Sequence, residues 1–164
     1  MAADAQVASV LAQELGSFAE LGEITRTVVR LSIAALLGGL LGYERERKGR
    51  AAGLKTHMLV SLGSALFVLV PLQAGVSQGD LTRVVQGIVS GIGFLGAGTI
   101  LKGPHQGRVE GLTTAAGIWT TSAIGMAAGM GYPMTAVLCT GVALVIFHWV
   151  PRWLARGETS DSRP

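Results

Sequence analysis

Charge is what this 164-residue sequence most lacks. Asp, Glu, Lys and Arg make up 14% of it, where about a quarter is usual in a soluble domain, and that is too little to coat a globule in water. Cysteine is nearly absent: Cys139 stands alone, so an intrachain disulfide is excluded. Histidine is scarce too, and His57, His105 and His148 lie far apart without the spacing of metal ligands. They read as polar residues of the membrane interface, and no metal or cofactor is expected. The first six residues carry Asp4 but no Lys or Arg, so the positive n-region of a cleavable signal peptide is missing and the first apolar span must direct insertion. No nucleophile, base and orienting group recur together, so an enzyme reading has no residues to carry it.

What fills the sequence instead is apolar residues and glycine. Hydrophobic residues make up 49%, and the 24 glycines fall inside the apolar runs rather than in polar linkers, a habit of transmembrane helices. About 20 residues of helix cross 30 Å of hydrocarbon, and only internally bonded backbone survives there. Five runs meet this, at residues 24–43, 57–75, 84–101, 112–130 and 133–150. Ahead of them, Val7, Leu11, Leu15, Phe18 and Leu21 recur at helical spacing among glutamates, which predicts an amphipathic helix at the interface over residues 1–23. Residues 151–164 form a polar tail. The expected class is an all-α membrane protein of about five spans.

The net charge of +3 belongs to the ends of the runs and not to a soluble basic face, which disfavours nucleic acid as a partner. Ten of the thirteen Lys and Arg residues lie in the first and third loops and the tail. The positive-inside rule then places the N-terminus outside and the C-terminus in the cytoplasm of a bacterium. Trp149, Trp153 and Tyr132 sit where an aromatic belt would hold the fifth span.

A repeat is visible at the inner loops. Gly49-Arg50-Ala51-Ala52-Gly53-Leu54-Lys55-Thr56 and Gly107-Arg108-Val109-Glu110-Gly111-Leu112-Thr113-Thr114 both read G-R-x-x-G-L-x-T, and Ser64-Ala65 and Ser122-Ala123 continue the match without a gap. Gly39-Leu40-Leu41-Gly42 and Gly93-Phe94-Leu95-Gly96 match a few residues out of that register. The unit is span, basic loop, span, which makes two parallel repeats about an axis near the membrane normal, with the fifth span outside them.

Gly91-Ile92-Gly93-Phe94-Leu95-Gly96 fits the dinucleotide fingerprint G-x-G-x-x-G, but it lies inside an apolar span with no preceding strand. Close helix packing explains these glycines better, and Gly87, Gly91, Gly93, Gly96 and Gly98 are read as packing positions, with small-xxx-small pairs at Gly38/Gly42, Gly87/Gly91 and Gly125/Gly129. Asp80 is placed as a helix N-cap. With Arg83 and Gln86 it is the alternative lining of an aqueous outer pocket. Glu44 follows the first span directly, and Arg50 or Arg108 is its expected partner. Trp119, among threonines, is expected to fill the bundle core with a partner for its N–H. Arg50 with Thr56, and Arg108 with Thr114, stand at helix N-termini, where free N–H groups and the helix dipole favour an anion such as a lipid phosphate.

Taken together, Gly42-Tyr43-Glu44-Arg45, Ala52-Gly53-Leu54-Lys55-Thr56, Asp80-x-x-Arg83, Ser90-Gly91-Ile92-Gly93-Phe94-Leu95-Gly96-Ala97-Gly98 and Val109-x-Gly111-Leu112-Thr113-Thr114-Ala115-Ala116 resemble the transmembrane domain of the MgtC/SapB family. The resemblance runs from about Leu36 to Gly131 and marks Glu44, Arg45, Asp80 and Arg83 as candidate functional residues. It implies a bacterial inner-membrane protein tied to growth at low magnesium and to virulence, acting on partners such as the F-type ATP synthase. It also implies a short form, since the MgtC type carries a cytoplasmic C-terminal domain. The rival class is a transporter or channel for magnesium. That ion wants carboxylates and retained water, while Glu44, Asp80 and Glu110 all lie at span ends.

Overall fold

The computed structural model describes residues 6–12, 21–102 and 109–158. Among the described residues six helices follow one another: α1 (residues 6–12), α2 (Leu21–Arg47), α3 (Leu54–Gln73), α4 (Gln78–Gly98), α5 (Leu112–Gly129) and α6 (Pro133–Glu158). The chain is an all-α membrane protein. A two-residue antiparallel bridge, Leu101–Lys102 with Val109–Glu110, closes the connection between α4 and α5. Helix α1 covers only part of the expected amphipathic segment and is exposed throughout, and residues 13–20 of that segment lie outside the described ones.

Four helices, α2, α3, α4 and α6 as far as Val150, are long and apolar enough to span a membrane. Helix α5 is shorter and rich in Thr, Ser and Gly, and it packs against all four of the others. More than half of its residues are buried. A helix wrapped by protein rather than lipid needs small side chains that admit its neighbours more than it needs a long apolar surface. The expected spans 24–43 and 133–150 sit inside these helices, while 57–75, 84–101 and 112–130 run one to three residues past the ends of α3, α4 and α5, and several helices also extend beyond the expected runs. Helix α2 continues from 43 through Glu44 and Arg45 to Arg47, and α4 begins at Gln78, six residues before the apolar run. Hydrogen-bonded helix continues past the hydrocarbon because charged residues can stay helical in the headgroup layer.

Close approach is achieved by glycine where backbones cross. An added Cβ at Gly38 would stand 2.6 Å from the His57 carbonyl oxygen, and one at Gly42 would stand 2.7 Å from Leu54 Cα, so α2 lies directly on α3. On the other side, a Cβ at Gly125 would overlap the Ser61 carbonyl, and one at Gly129 would overlap that of Ala65. The small pairs at Gly38/Gly42 and Gly125/Gly129 therefore seat α3 between α2 and α5. Ala34, Leu37 and Leu41 of α2, Ile124 and Ala128 of α5 and Ala136, Ala143 and Phe147 of α6 complete the largest core cluster.

The repeat appears in space as well. Ser64 and Ser122, equivalent positions 58 residues apart, hydrogen-bond to each other at 2.7 Å. Gly42 packs on the Cβ of His57, and Gly96 packs on Ala115, the residue equivalent to His57. The four-residue difference in register between the halves is absorbed in the longer second loop, which carries the two-residue bridge.

Candidate functional site

Polar groups gather at the end of the bundle where α2 and α6 finish and α3 and α5 begin. The last turn of α2 supplies Glu44 and Arg45, and the turn that follows it supplies Lys48. Although Arg45 is charged, only 3% of its surface is exposed. Its Nε donates to Glu44 Oε2, and Lys48 Nζ pairs with Glu44 Oε1. Lys48 also donates to the Phe147 carbonyl, which ties α2 to α6, and the Arg45 guanidinium lies 3.8 Å above the Phe147 ring. One carboxylate thus answers two cations, with an aromatic face taking part of the arginine charge. Among the described residues, Glu44 finds its partners in the adjacent Arg45 and in Lys48 just past the end of α2, and not in the expected Arg50. Arg50 is exposed in the loop, and Arg108 lies outside the described residues. The partner at i+4 was legible in the sequence. The short contact with the adjacent Arg45 was not.

Helix α3 begins at Leu54, whose N–H donates to Glu46 Oε2 at 2.7 Å. Three residues on, His57 is fully buried, not interfacial as its position had suggested. Its Nδ1 lies 3.0 Å from the Gly53 carbonyl oxygen. Because a carbonyl only accepts, Nδ1 carries the proton and Nε2 of the neutral ring is left as an acceptor. That nitrogen faces Gly117 of α5, where an added Cβ would stand 3.5 Å from it and 3.3 Å from the Phe147 ring. Deeper in the bundle follow Ser61 and Thr121, both fully buried, and then the Ser64–Ser122 pair. No sequence signal marked Ser61 or Thr121, because isolated hydroxyls in apolar helices usually return to their own backbone, as Thr140 does to Ala136.

The other candidate residues are dispersed. Thr114 is buried in the first turn of α5 while its repeat counterpart Thr56 is exposed. Trp119 is 51% exposed on the outside of the bundle and does not fill the core. Ser77, and not Asp80, caps α4: Ser77 Oγ accepts from the Asp80 N–H at 3.2 Å and donates to Asp80 Oδ2 at 2.7 Å. Arg83 and Gln86 are exposed, and neither joins the polar cleft at that end. At that end, the polar cleft is formed instead by Glu23, Arg26, Thr27 and Arg30 of α2 with Gln73 of α3. Arg30 donates to the Gly129 carbonyl at 3.0 Å and so satisfies the end of α5.

Among the described residues, a Cβ added at Gly96 would meet another helix, at Ala115 of α5. One added at Gly87, Gly91, Gly93 or Gly98 would meet nothing within 4 Å. Gly87 and Gly91 instead line an open apolar groove of about 450 Å³ between α3 and α4, with Ser64, Phe67, Ile88 and Leu95.

The MgtC family model matches residues 31–156. Protein SrpB of Synechococcus elongatus is 49% identical over 116 residues, 62% of this chain and 62% of its own length. The putative magnesium transporter YhiD of Escherichia coli K12 is 40% identical over 131 residues, 74% of this chain and 60% of that protein. Protein MgtC of Brucella abortus is 44% identical over 119 residues, 71% of this chain and 48% of its own length. The chain therefore spans about half to two thirds of the length of these curated relatives. No solved structure matches it. A match covering most of the bundle, from the middle of α2 to the end of α6, places this chain in the MgtC family.

Proposed function

We propose that the protein is a non-enzymatic regulator of the bacterial inner membrane that works by receiving a helix of a membrane partner in the groove between α3 and α4. The supporting observation is the broken symmetry of the repeat. Exchanging the two halves maps the α2–α5 cleft onto the α4–α3 groove. Helix α6 fills the first with Ala136, Ala143 and Phe147, whereas the second stays open and is lined by Gly87 and Gly91. Small residues that let another helix approach are the usual basis of association in lipid. By resemblance to the family, the partner is a complex such as the F-type ATP synthase, and the setting is growth at low magnesium, with a link to virulence. Anionic lipid at Arg50 and Arg108, on the basic side, belongs to the same proposal.

The second reading, magnesium transport, is favoured by the name of the Escherichia coli relative. Against it stands the charge at the polar end, where Glu44 is already shared by Arg45 and Lys48 and offers a divalent cation a positive field. Purified protein in sealed proteoliposomes is expected to give no magnesium uptake above empty vesicles, read with an entrapped magnesium dye. Saturable uptake abolished by Glu44→Gln would replace regulation with transport.

The orientation proposed, N-terminus outside and C-terminus in the cytoplasm, rests on the basic residues of the loops. In a Cys139→Ser background, cysteine at Arg47 should resist an impermeant maleimide added to intact cells, and cysteine at Gln78 should react. The reverse pattern would invert the topology.

A further inference from the structure

Three polar groups at the crossing of α3 and α5 have no hydrogen-bond partner in the chain among the described residues: His57 Nε2, Ser61 Oγ and Thr121 Oγ1. All three residues are fully buried. His57 and Ser61 are one turn apart on α3. Gly117, Thr121 and Gly125 form one lane of α5, and the contacts of Gly117 with His57 and of Gly125 with Ser61 bracket Thr121 from both sides. An acceptor and two hydroxyls are thus held on facing turns of two helices. Leaving such groups unpaired away from water is costly.

The surroundings select what they bind. Arg45 lies over the Phe147 ring, whose edge reaches the same Gly117 that His57 faces, so the neighbouring layer carries fixed positive charge and a cation is disfavoured. An anion would meet the lone pair of Nε2, since Nδ1 holds the ring proton. A small neutral molecule that both donates and accepts satisfies all three groups. We propose that His57, Ser61 and Thr121 form a binding site for a buried water molecule, which donates to His57 Nε2 and bonds both hydroxyls, locking α3 to α5 below the Glu44–Arg45–Lys48 cluster. Buried waters with about three such bonds are common structural parts of proteins.

The sign of a stability change tests this. Deleting a hydroxyl that merely sits unpaired removes a penalty and raises stability, whereas deleting one that holds a water leaves the water and its other partners short of a bond. Ser61→Ala and Thr121→Val, in the full-length protein in detergent, are each expected to lower the melting temperature by several degrees. Thr140→Val, where the hydroxyl already bonds its own helix, should leave it unchanged. The Ser61→Ala/Thr121→Val double variant should lose less than the sum of the two, because both act on one bound molecule. In the unsubstituted protein, the ¹⁵N-labelled His57 ring should show magnetisation transfer from water at Nε2, a signal that Thr121→Val weakens. Unchanged or raised melting temperatures for both single variants, fully additive losses, or no water signal at Nε2 would overturn the proposal.

Discussion

Gly125→Ala should prevent the bundle from assembling, and Gly91→Ala should leave it intact. The two glycines are alike in sequence, each belonging to a small-xxx-small pair inside an apolar helix. Their surroundings differ completely. A methyl group at Gly125 would overlap the Ser61 carbonyl and stand 2.8 Å from Ser61 Cα. These are backbone atoms of α3, which cannot swing aside as a side chain would. Overpacking that side chains can absorb typically costs about 1–3 kcal/mol, and a backbone collision exceeds that, against a total stability of about 5–15 kcal/mol. Gly91 meets nothing within 4 Å, and alanine is the better helix former by about 1 kcal/mol. Fluorescence-detected size exclusion after a temperature series would read both. Gly125→Ala should yield little monodisperse protein at any temperature, and Gly91→Ala should melt at or slightly above the unsubstituted protein. Equal behaviour of the two variants would mean that α3 and α5 do not cross at Ser61.

That contrast shows where the sequence stops being informative. Run length and low charge suffice for the helices, because the bilayer demands about 20 apolar residues whichever way they face. The repeat was legible from G-R-x-x-G-L-x-T, and its equivalent serines meet in space. Which face of each helix turns inward is a different matter. In water, a polar stripe marks the outside of a helix. In lipid, the tails are as apolar as the core, so Gly38 and Gly125 carry no mark that separates them from Gly87 and Gly91. Trp119 fails for the same reason: it stands among threonines on α5, yet it points outward. His57 fails in the opposite sense, since its place in the first turn of α3 suggests an interface, while Gly42 and Gly117 bring α2 and α5 close enough to bury it. Glu44 was recognised as a carboxylate that needs a cation. Its partners are nearer in the chain than Arg50 because α2 continues past the apolar run and carries Arg45 alongside it.

The central claim is that the α3–α4 groove receives a helix from another membrane protein, and a photoreactive residue placed in it tests this most directly. Phe94 and Val145 are both exposed on the outside of the bundle, but among the described residues the row of open glycines lies on α4. A photo-crosslinking amino acid at Gly91, activated in intact cells, should give one dominant protein adduct of defined mass. By resemblance to the family, this adduct is expected to contain a membrane subunit of a larger complex such as the F-type ATP synthase. The same probe at Val145, exposed on α6 and outside the cleft between α5 and α6, should give lipid adducts alone. A Gly87→Leu substitution that blocks the groove should abolish the protein adduct without lowering the amount of folded protein. Lipid adducts alone from Gly91, or a protein adduct indifferent to Gly87→Leu, would contradict the account.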